Sequence, residues 1–187
     1  MVKLENRMSP ASNLKEDFPT CLRELIFRGQ LNLRGNPENK NFMTSTKSVL
    51  GLDLPLSPNT VSTGSGIKAL WLSPDEWLVV AEDQKQNDLV WKLEKALIGE
   101  HSAINDVSAN RTIFEITGEN AHQVLMKSSE FDFHPRVFSP DNCVQTLIAK
   151  SQVIVEQTEP AAFHIYVRCS FGRYVGAWLA EACQEFV

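Results

Sequence analysis

Short apolar runs typical of strands alternate with single helical stripes along this chain, and that order constrains the fold more than any motif does. Strands are predicted at 22–34, 67–72, 77–81, 103–107, 112–117, 144–149, 153–157 and 163–168. Helices are predicted after Asn36-Pro37, at 88–98, at 119–127 and at the C-terminal end. The order β-α-β-β-α, then β-β-α-β-β-β-α, predicts an α+β fold of two similar halves, each with helices packed on an antiparallel sheet.

The length of the chain predicts its domain organisation. A chain of 187 residues is close to one domain of about 150 residues. Residues 1–20 are polar and lack periodicity, which predicts a flexible N-terminal arm. Residues 21–187 are predicted to form a single α+β domain, whose halves would be 21–100 and 101–187. No sequence repeat supports this doubling, so it depends on the order of elements alone.

Three local predictions can be compared directly with a structure. Residues 103–107 and 112–117 are predicted to form a hairpin that turns at Ala109-Asn110. Residues 52–66 are rich in proline, serine and glycine and are predicted to be loop. The last helix carries an apolar stripe with helical spacing, which is predicted to be buried: Phe171, Tyr174, Val175, Trp178, Leu179 and Ala182.

Charge and cysteine usage exclude several classes of protein. The net charge is −5, and clustered basic residues are absent, which argues against a nucleic-acid partner. No run of about 18 apolar residues predicts a membrane span, and no apolar segment follows the basic residues near the start as in a secretory signal. The four cysteines are isolated, so reduced thiols and a cytoplasmic location are expected.

Candidate catalytic motifs are weak. Gly64-Ser65-Gly66 lacks the third glycine of a phosphate-binding loop and precedes a strand instead of a helix. Ser128-Ser129 lies outside the G-x-S-x-G pattern of hydrolases. The four histidines form no recognisable metal-binding motif with acidic residues or cysteines, although any one of them could act as a base. The sequence therefore predicts no catalytic residue, cofactor site or metal site in this chain.

Residues 131–138 (FDFHPRVF), here called the aromatic loop, carry unusual ring area for an irregular segment. The loop contains Phe131, Phe133 and Phe138 together with His134 and Arg136. Two interpretations stay open. The rings fold back on the core of this chain, or they form a docking surface for a partner.

A series of short motifs occurs in a fixed order along most of the chain. They are 31–35 (LNLRG), 50–61 (LGLDLPLSPNTV), 71–77 (WLSPDEW), 106–111 (DVSANR), 132–136 (DFHPR), 143–147 (CVQTL) and 167–171 (VRCSF). Together they resemble the gamma subunit of heterotetrameric sarcosine oxidase over residues 25–185. Asn110 departs from the small residue or glycine that this family typically has before the arginine matching Arg111.

This resemblance implies a fold like the folate-binding domain of aminomethyltransferases and a place among alpha, beta, gamma and delta chains. The family's enzyme oxidises sarcosine to glycine, hydrogen peroxide and a one-carbon unit that tetrahydrofolate captures. FAD and covalent FMN are implied for the beta subunit, NAD and the folate site for alpha, and zinc for delta. The gamma subunit itself is implied to hold no essential cofactor.

The leading hypothesis is a non-catalytic gamma subunit that supports the large alpha subunit. Its partner interface is predicted to include Arg111, Phe131, Phe133, His134, Arg136, Phe138 and Arg168. The alternative is a free-standing folate-binding or aminomethyltransferase-like protein, in which Asp106 or Glu115 would face a pterin. A third reading is an unrelated domain that binds a small molecule.

Overall fold

The computed structural model describes residues 6–186, and these form ten strands and four α-helices. The strands are β1 (Leu22–Leu25), β2 (Arg28–Gly35), β3 (Val61–Gly64), β4 (Ile67–Ser73), β5 (Glu76–Glu82), β6 (Ser102–Asp106), β7 (Arg111–Thr117), β8 (Cys143–Ile148), β9 (Ser151–Glu159) and β10 (Ala162–Arg168). The helices are α1 (Lys40–Leu50), α2 (Gln86–Ala96), α3 (Ala121–Ser128) and α4 (Cys169–Gln184). None of the helices within 6–186 is long and apolar enough to cross a membrane.

The strands form two five-stranded sheets with the same topology. One sheet has the order β3-β4-β5-β2-β6, and the other has the order β8-β9-β10-β7-β1. The chain therefore repeats one pattern of two strands, a helix, three strands and a helix, and the predicted α+β fold of two similar halves is confirmed. The first strand of each repeat pairs in the sheet of the other repeat, because β1 pairs with β7 and β6 pairs with β2.

This strand exchange divides the chain into two interleaved compact units. One unit contains residues up to 26, 109–140 and 145 onward, and the other contains 27–108 and 141–144. The division into halves at residues 100 and 101 stays a prediction. Two local predictions are wrong for the same reason. Residues 22–34 form two strands separated at Phe27, whose φ is 53°, and residues 103–117 form no hairpin, because β6 and β7 belong to different sheets.

In the unit of residues 27–108, α1 and α2 cover one apolar face of the sheet. Asn39 caps α1 by accepting hydrogen bonds from the amides of Asn41 and Phe42, and Gly51 ends the helix at a φ of 71°. Gly35 allows the Phe42 ring to pack on β2, because a Cβ there would lie 2.2 Å from the ring. The loop predicted at 52–66 is wrong at its end, where β3 pairs with β4. The core consists of Leu31, Leu33, Phe42, Leu50, Leu52, Leu54, Ala69, Trp77, Val79, Ala81, Leu89, Leu93 and Leu97.

In the other unit, α4 packs on β7 and β10 through its small residues. Gly176 lies against the Phe114 ring, at a distance where a Cβ would meet the ring carbon Cζ at 3.1 Å. The buried residues of α4 are Gly172, Val175, Gly176, Leu179, Ala180, Ala182 and Cys183. The predicted stripe is therefore wrong at its aromatic positions: Phe171 and Trp178 are 43% exposed and Tyr174 is 40% exposed. Close approach to the sheet requires the glycine face, which turns the bulky rings away.

The N-terminal arm contacts this unit where it is described. Residues 1–5 of the arm predicted to be flexible lie outside the described residues. Residues Ser12–Asp17 form a 3-10 helix, and Ala11 is fully buried. Pro10 packs against α4, since a Cβ on Gly172 would lie 2.6 Å from the Pro10 Cβ. Flexibility of the whole arm stays a prediction.

The burial pattern of α4 predicts losses of stability of different size for two neighbouring substitutions. Leu179→Ala removes a fully buried side chain and should lower the free energy of unfolding by about 2–5 kcal/mol. Trp178→Ala should cost less than about 1.5 kcal/mol, because the ring is exposed and loses chiefly one hydrogen bond to Ser128. Urea unfolding of both variants measures the two costs. A larger loss in Trp178→Ala than in Leu179→Ala would contradict the observed helix orientation.

Candidate functional site

One face of the sheet of β7 and β10 carries a row of polar side chains on four neighbouring strands. Arg23 lies opposite Glu115, Glu115 opposite His164, and His164 opposite Glu156. Each glutamate directly follows apolar residues, in IFE and VIVE, and the histidine lies between apolar residues in FHI. Since side chains alternate between the two faces of a strand, antiparallel pairing brings the four groups together on one face. We call this row the polar ladder.

The polar ladder is internally paired. Arg23 donates from Nε to Glu115 Oε2, and His164 Nε2 lies 3.4 Å from Glu115 Oε1. His164 Nδ1 lies 3.5 Å from Glu156 Oε2, which also accepts a hydrogen bond of 2.6 Å from the Tyr166 hydroxyl. Glu156 is 2% exposed, so these interactions compensate its desolvation. The ladder therefore stabilises the sheet and presents no unpaired carboxylate to a substrate.

The ladder also decides one electrostatic property of Glu115. Burial by itself would raise the pKa of the Glu115 carboxyl, but hydrogen bonds and charges from Arg23 and His164 lower it below the usual value of 4.5. Glu115 was one of two carboxylates considered for a pterin. The other, Asp106, is exposed on β6, where its Oδ1 accepts hydrogen bonds from the amide and hydroxyl of Ser108. Neither carboxylate is arranged as a pterin-facing group.

Farther along the same face of this sheet, Arg111 of β7 lies directly opposite Arg168 of β10. The two residues line an open cleft with a volume of about 360 Å³. The remaining lining residues are neutral: Gln145, Thr146, Leu147, Gln152, Val153 and Ile154. Arg168 is exposed, and its side chain makes no cap on α4. The structure therefore brings together two of the arginines predicted at a partner interface, in what we call the arginine cleft.

The aromatic loop divides into buried and exposed side chains. Phe133 is fully buried and Phe138 is 2% exposed, and the Phe138 ring stacks on Phe163 of β10 at 6.4 Å between centroids. Phe131 covers both loop rings edge-on, with centroids 4.9 Å from Phe133 and 5.4 Å from Phe138. Phe133 and Phe138 therefore belong to the core of this unit, and the half-buried Phe131 packs against both.

The turn of the aromatic loop holds its polar residues at the surface. The His134 amide donates to Asp132 Oδ1 at 2.9 Å, and the Arg136 amide donates to His134 Nδ1 at 3.2 Å. The side chains of His134, Arg136 and Val137 are exposed. The loop therefore presents a basic, partly apolar tip on a rigid aromatic base.

The exposed rings of α4 form a second surface that sequence reasoning missed. Phe171, Tyr174 and Trp178 occupy positions i, i+3 and i+7 of the helix, and the Tyr174 and Trp178 ring centroids are 6.4 Å apart. Trp178 Nε1 donates to Ser128 Oγ at 3.1 Å, which holds the indole against α3. We call these three residues the α4 aromatic face. The sequence signal for this surface is the series of glycine and alanine residues on the opposite side of the helix. These small residues allow close packing on the sheet, so the aromatic rings face away from it.

The remaining candidate histidine, cysteine and glycine-rich groups lie in surroundings that explain them by packing or by a turn. Burial and the charge of His134 lower the pKa of His122, whose ring meets Phe163 edge-on at 4.9 Å. Burial and a hydrogen bond with Cys21 raise the pKa of the Cys183 thiol to about 12, which disfavours the reactive thiolate. Ser65-Gly66 forms the turn between β3 and β4. Among residues 6–186, no group of three or more histidine, cysteine or acidic side chains is arranged for a metal ion.

Comparisons with known proteins agree on one family. The family model described as "Sarcosine oxidase, gamma subunit family" matches residues 34–185. The sarcosine oxidase subunit gamma of Corynebacterium sp. (strain P-1) is 34% identical to this chain, over 96% of this chain and 91% of the relative.

Solved structures give the same result. A chain of the heterotetrameric sarcosine oxidase from Corynebacterium sp. U-96, in complex with pyrrole 2-carboxylate, is 33% identical, covers 96% of both chains and has a TM-score of 0.89. The glycine cleavage system aminomethyltransferase T from Bartonella henselae is 13% identical, with a TM-score of 0.62 over 84% of this chain and 44% of that chain. This second likeness concerns the fold, and it confirms the fold expected from the resemblance.

The polar ladder predicts a pH-dependent contribution to stability. Because the folded-state pKa of Glu115 is lowered, its contribution is complete well above 4.5 and is lost as the pH falls through the folded value. Arg23→Ala should lower the free energy of unfolding at neutral pH by less than about 1 kcal/mol, since Arg23 is exposed and screened. The difference from the wild type should shrink in acid.

Urea unfolding at neutral and acidic pH measures this difference, with Arg28→Ala as the control, because Arg28 is exposed on the other sheet. A cost for Arg23→Ala that is equal at both pH values would contradict an electrostatic role for the pair.

Proposed function

The chain belongs to the sarcosine oxidase gamma subunit family, and from this membership we propose that it is the non-catalytic gamma subunit of a heterotetrameric sarcosine oxidase. In this role it supports the large subunit while sarcosine is demethylated oxidatively to glycine, hydrogen peroxide and a one-carbon unit. Its partners are the alpha, beta and delta subunits, mainly the large alpha subunit. The match to a chain of a heterotetrameric sarcosine oxidase over 96% of both chains supports this proposal.

The observation that carries the supporting role is the contrast between inward and outward groups. The polar ladder is internally paired, whereas the α4 aromatic face leaves three rings at least 40% exposed. Aromatic side chains dominate the energetics of protein interfaces, because they bury large area at low entropic cost. The exposed rings of the α4 aromatic face are therefore suited to contact with a partner, whereas the polar ladder stabilises the fold of this chain.

We assign the partner interface to two kinds of residue at the surface. The first is cationic and comprises Arg111, Arg168 and Arg136, with His134 beside Arg136 at the tip of the aromatic loop. The second is the α4 aromatic face. Phe131, Phe133 and Phe138 contribute indirectly, because their packing fixes the loop that presents His134 and Arg136.

The proposed division of labour follows from the chemistry. Oxidation of an amine needs an electron acceptor, and protein side chains do not accept a hydride. We therefore place FAD, FMN, NAD, tetrahydrofolate and zinc in the partner subunits and no cofactor in this chain. The glycine motif supports this assignment: Gly64-Ser65-Gly66 joins two antiparallel strands, whereas a dinucleotide fingerprint joins a strand to a helix.

We also propose a cytoplasmic complex with neither nucleic acid nor a membrane as partner. The four cysteines are free thiols, as expected in a reducing compartment. The net charge of −5 disfavours binding to phosphate backbones and to anionic lipid.

The isolated chain should be colourless and should not oxidise sarcosine, because it is proposed to hold no electron acceptor. A visible spectrum and a peroxide assay on the purified chain test this, and the purified tetramer serves as the positive control. Flavin absorbance in the isolated chain, or peroxide production above background, would overturn the non-catalytic assignment. Omitting the chain during co-expression should reduce the yield of assembled oxidase.

The α4 aromatic face predicts a selective effect on assembly. Tyr174→Ala should weaken association with the partner subunits about 10-fold or more while leaving the unfolding midpoint of the isolated chain nearly unchanged. Trp91→Ala is a matched control, because Trp91 is 60% exposed on α2. Surface plasmon resonance against the remaining subunits measures the affinities. Equal affinities for Tyr174→Ala and the wild type would remove α4 from the interface.

A further inference from the structure

The course of α4 along β7 follows from the neighbours of its glycines. A Cβ on Gly172 would lie 3.3 Å from Thr112 Cγ2, and a Cβ on Gly176 would lie 3.1 Å from Phe114 Cζ. Four residues of the helix therefore advance by two residues of the strand, since each length spans about 6 to 7 Å. The last turn of α4 accordingly lies near the far end of β7, where the strand finishes at Thr117.

The start of β1 meets the same end of β7. The Thr117 amide donates to the Cys21 carbonyl at 2.9 Å, and the Leu22 amide donates to the Pro19 carbonyl at 2.9 Å, so Cys21 lies in a turn just before the strand. Cys183 lies in the last turn of α4, which packs against β1 as well as β7. The thiols of Cys21 and Cys183 share a hydrogen bond. We call these two cysteines the thiol pair.

The two members of the thiol pair differ in their access to solvent. Cys183 is fully buried, whereas Cys21 is half-buried. Burial and the hydrogen bond with Cys21 raise the pKa of the Cys183 thiol to about 12, so Cys183 is protonated at neutral pH. A small oxidant in the solvent therefore meets Cys21 first, and Cys183 is the neighbouring thiol that can react with the oxidised product.

We propose that Cys21 and Cys183 form a reversible disulfide when hydrogen peroxide reaches Cys21. In the first step the Cys21 sulfur attacks a peroxide oxygen, the O–O bond breaks, and the products are the Cys21 sulfenic acid and one water. In the second step the Cys183 sulfur attacks the Cys21 sulfur, the S–O bond breaks, and the departing hydroxide takes the Cys183 proton to form a second water. The two thiols lose two electrons in total, and the peroxide gains them.

A neighbouring cation assists the second step. The charge of Lys127 opposes the rise in the pKa of Cys183, and Lys127 Nζ is held 2.7 Å from Glu185 Oε1 beside it in the chain fold. Positive charge near a sulfur stabilises the thiolate as the proton leaves. The oxidation of sarcosine releases hydrogen peroxide, so this chain would meet the oxidant where it is produced. That source of peroxide rests on the proposed function.

The test treats the purified full-length chain with hydrogen peroxide and maps its cysteines by mass spectrometry. The wild type should give peptides joined through Cys21 and Cys183, two hydrogens lighter than the separate peptides, and dithiothreitol should separate them. In Cys183→Ala the Cys21 sulfenic acid should accumulate, and dimedone should label it at least about 5-fold more than in the wild type. Cys169→Ala removes another half-buried thiol and should leave the disulfide unchanged.

The proposal fails if the wild-type peptides stay separate at a peroxide concentration that oxidises free cysteine in the same time. Equal dimedone labelling of Cys21 in the wild type and in Cys183→Ala would also overturn it. Cys21→Ala gives an independent check, because the fully buried Cys183 should then stay reduced. Oxidation of Cys183 in that variant would overturn the assigned order of the two steps. Unfolding midpoints show whether each variant keeps its fold.

Turnover of the assembled oxidase tests the source of the peroxide. Incubation with sarcosine should form the same disulfide, and catalase should prevent it. A disulfide that forms with added peroxide but not during turnover would overturn the oxidase as the source of the oxidant. Failure of this chain to join the other subunits would instead refute the proposed function, and the experiment with added peroxide would still decide whether the thiol pair forms a disulfide.

Discussion

Pairing of β1 with β7 is the interaction on which the unit of α3 and α4 depends. Arg23 and Glu115 are 92 positions apart, yet they face each other across this pair and supply its ion pair. The strand closes the edge of a sheet whose other members all follow residue 108. Bringing such distant segments together costs loop-closure entropy before any contact compensates it. The apolar faces of β7 and β10 offset that cost, because α4 covers them through its glycines.

The same strand pairs organise the candidate functional groups. Along β7 and β10, the rung Glu115–His164 is followed by Ile113–Tyr166 and then by Arg111–Arg168. The first rung is neutralised by neighbours on β1 and β9, whose strands supply Arg23 and Glu156. Gln152 and Thr146 line the cleft beside the last rung without opposing its charge. One sheet face thus combines the internally paired polar ladder at one end with two cross-strand arginines at the other.

How much of the candidate site could be predicted depended on how far apart its parts lie in the chain. The aromatic loop was recognisable because its rings and its two basic residues are consecutive. The burial of individual rings could not be predicted, because it depends on Phe163 of β10, a distant residue on which Phe138 stacks. The polar ladder was missed because a search for short spacings cannot join residues 115, 156 and 164. The available signal was a single titratable residue among the apolar residues of a strand. Such a residue does not indicate its partner until the pairing register of the strands is known.

The sequence by itself determined the α+β class, the order of helices and most strands, and the end of α1 at Gly51, because periodicity and glycines act over a few residues. The start of α1 predicted at Asn36-Pro37 is wrong, since Asn39 caps the helix. It also determined family membership through motifs spread over most of the chain. Tertiary structure decided that 22–34 breaks into two strands, that β1 and β6 exchange sheets, and that α4 buries glycine and alanine while exposing Tyr174 and Trp178. Those outcomes depend on contacts between distant segments. These contacts stabilise the fold only after the sheet has assembled and a helix has packed closely against it.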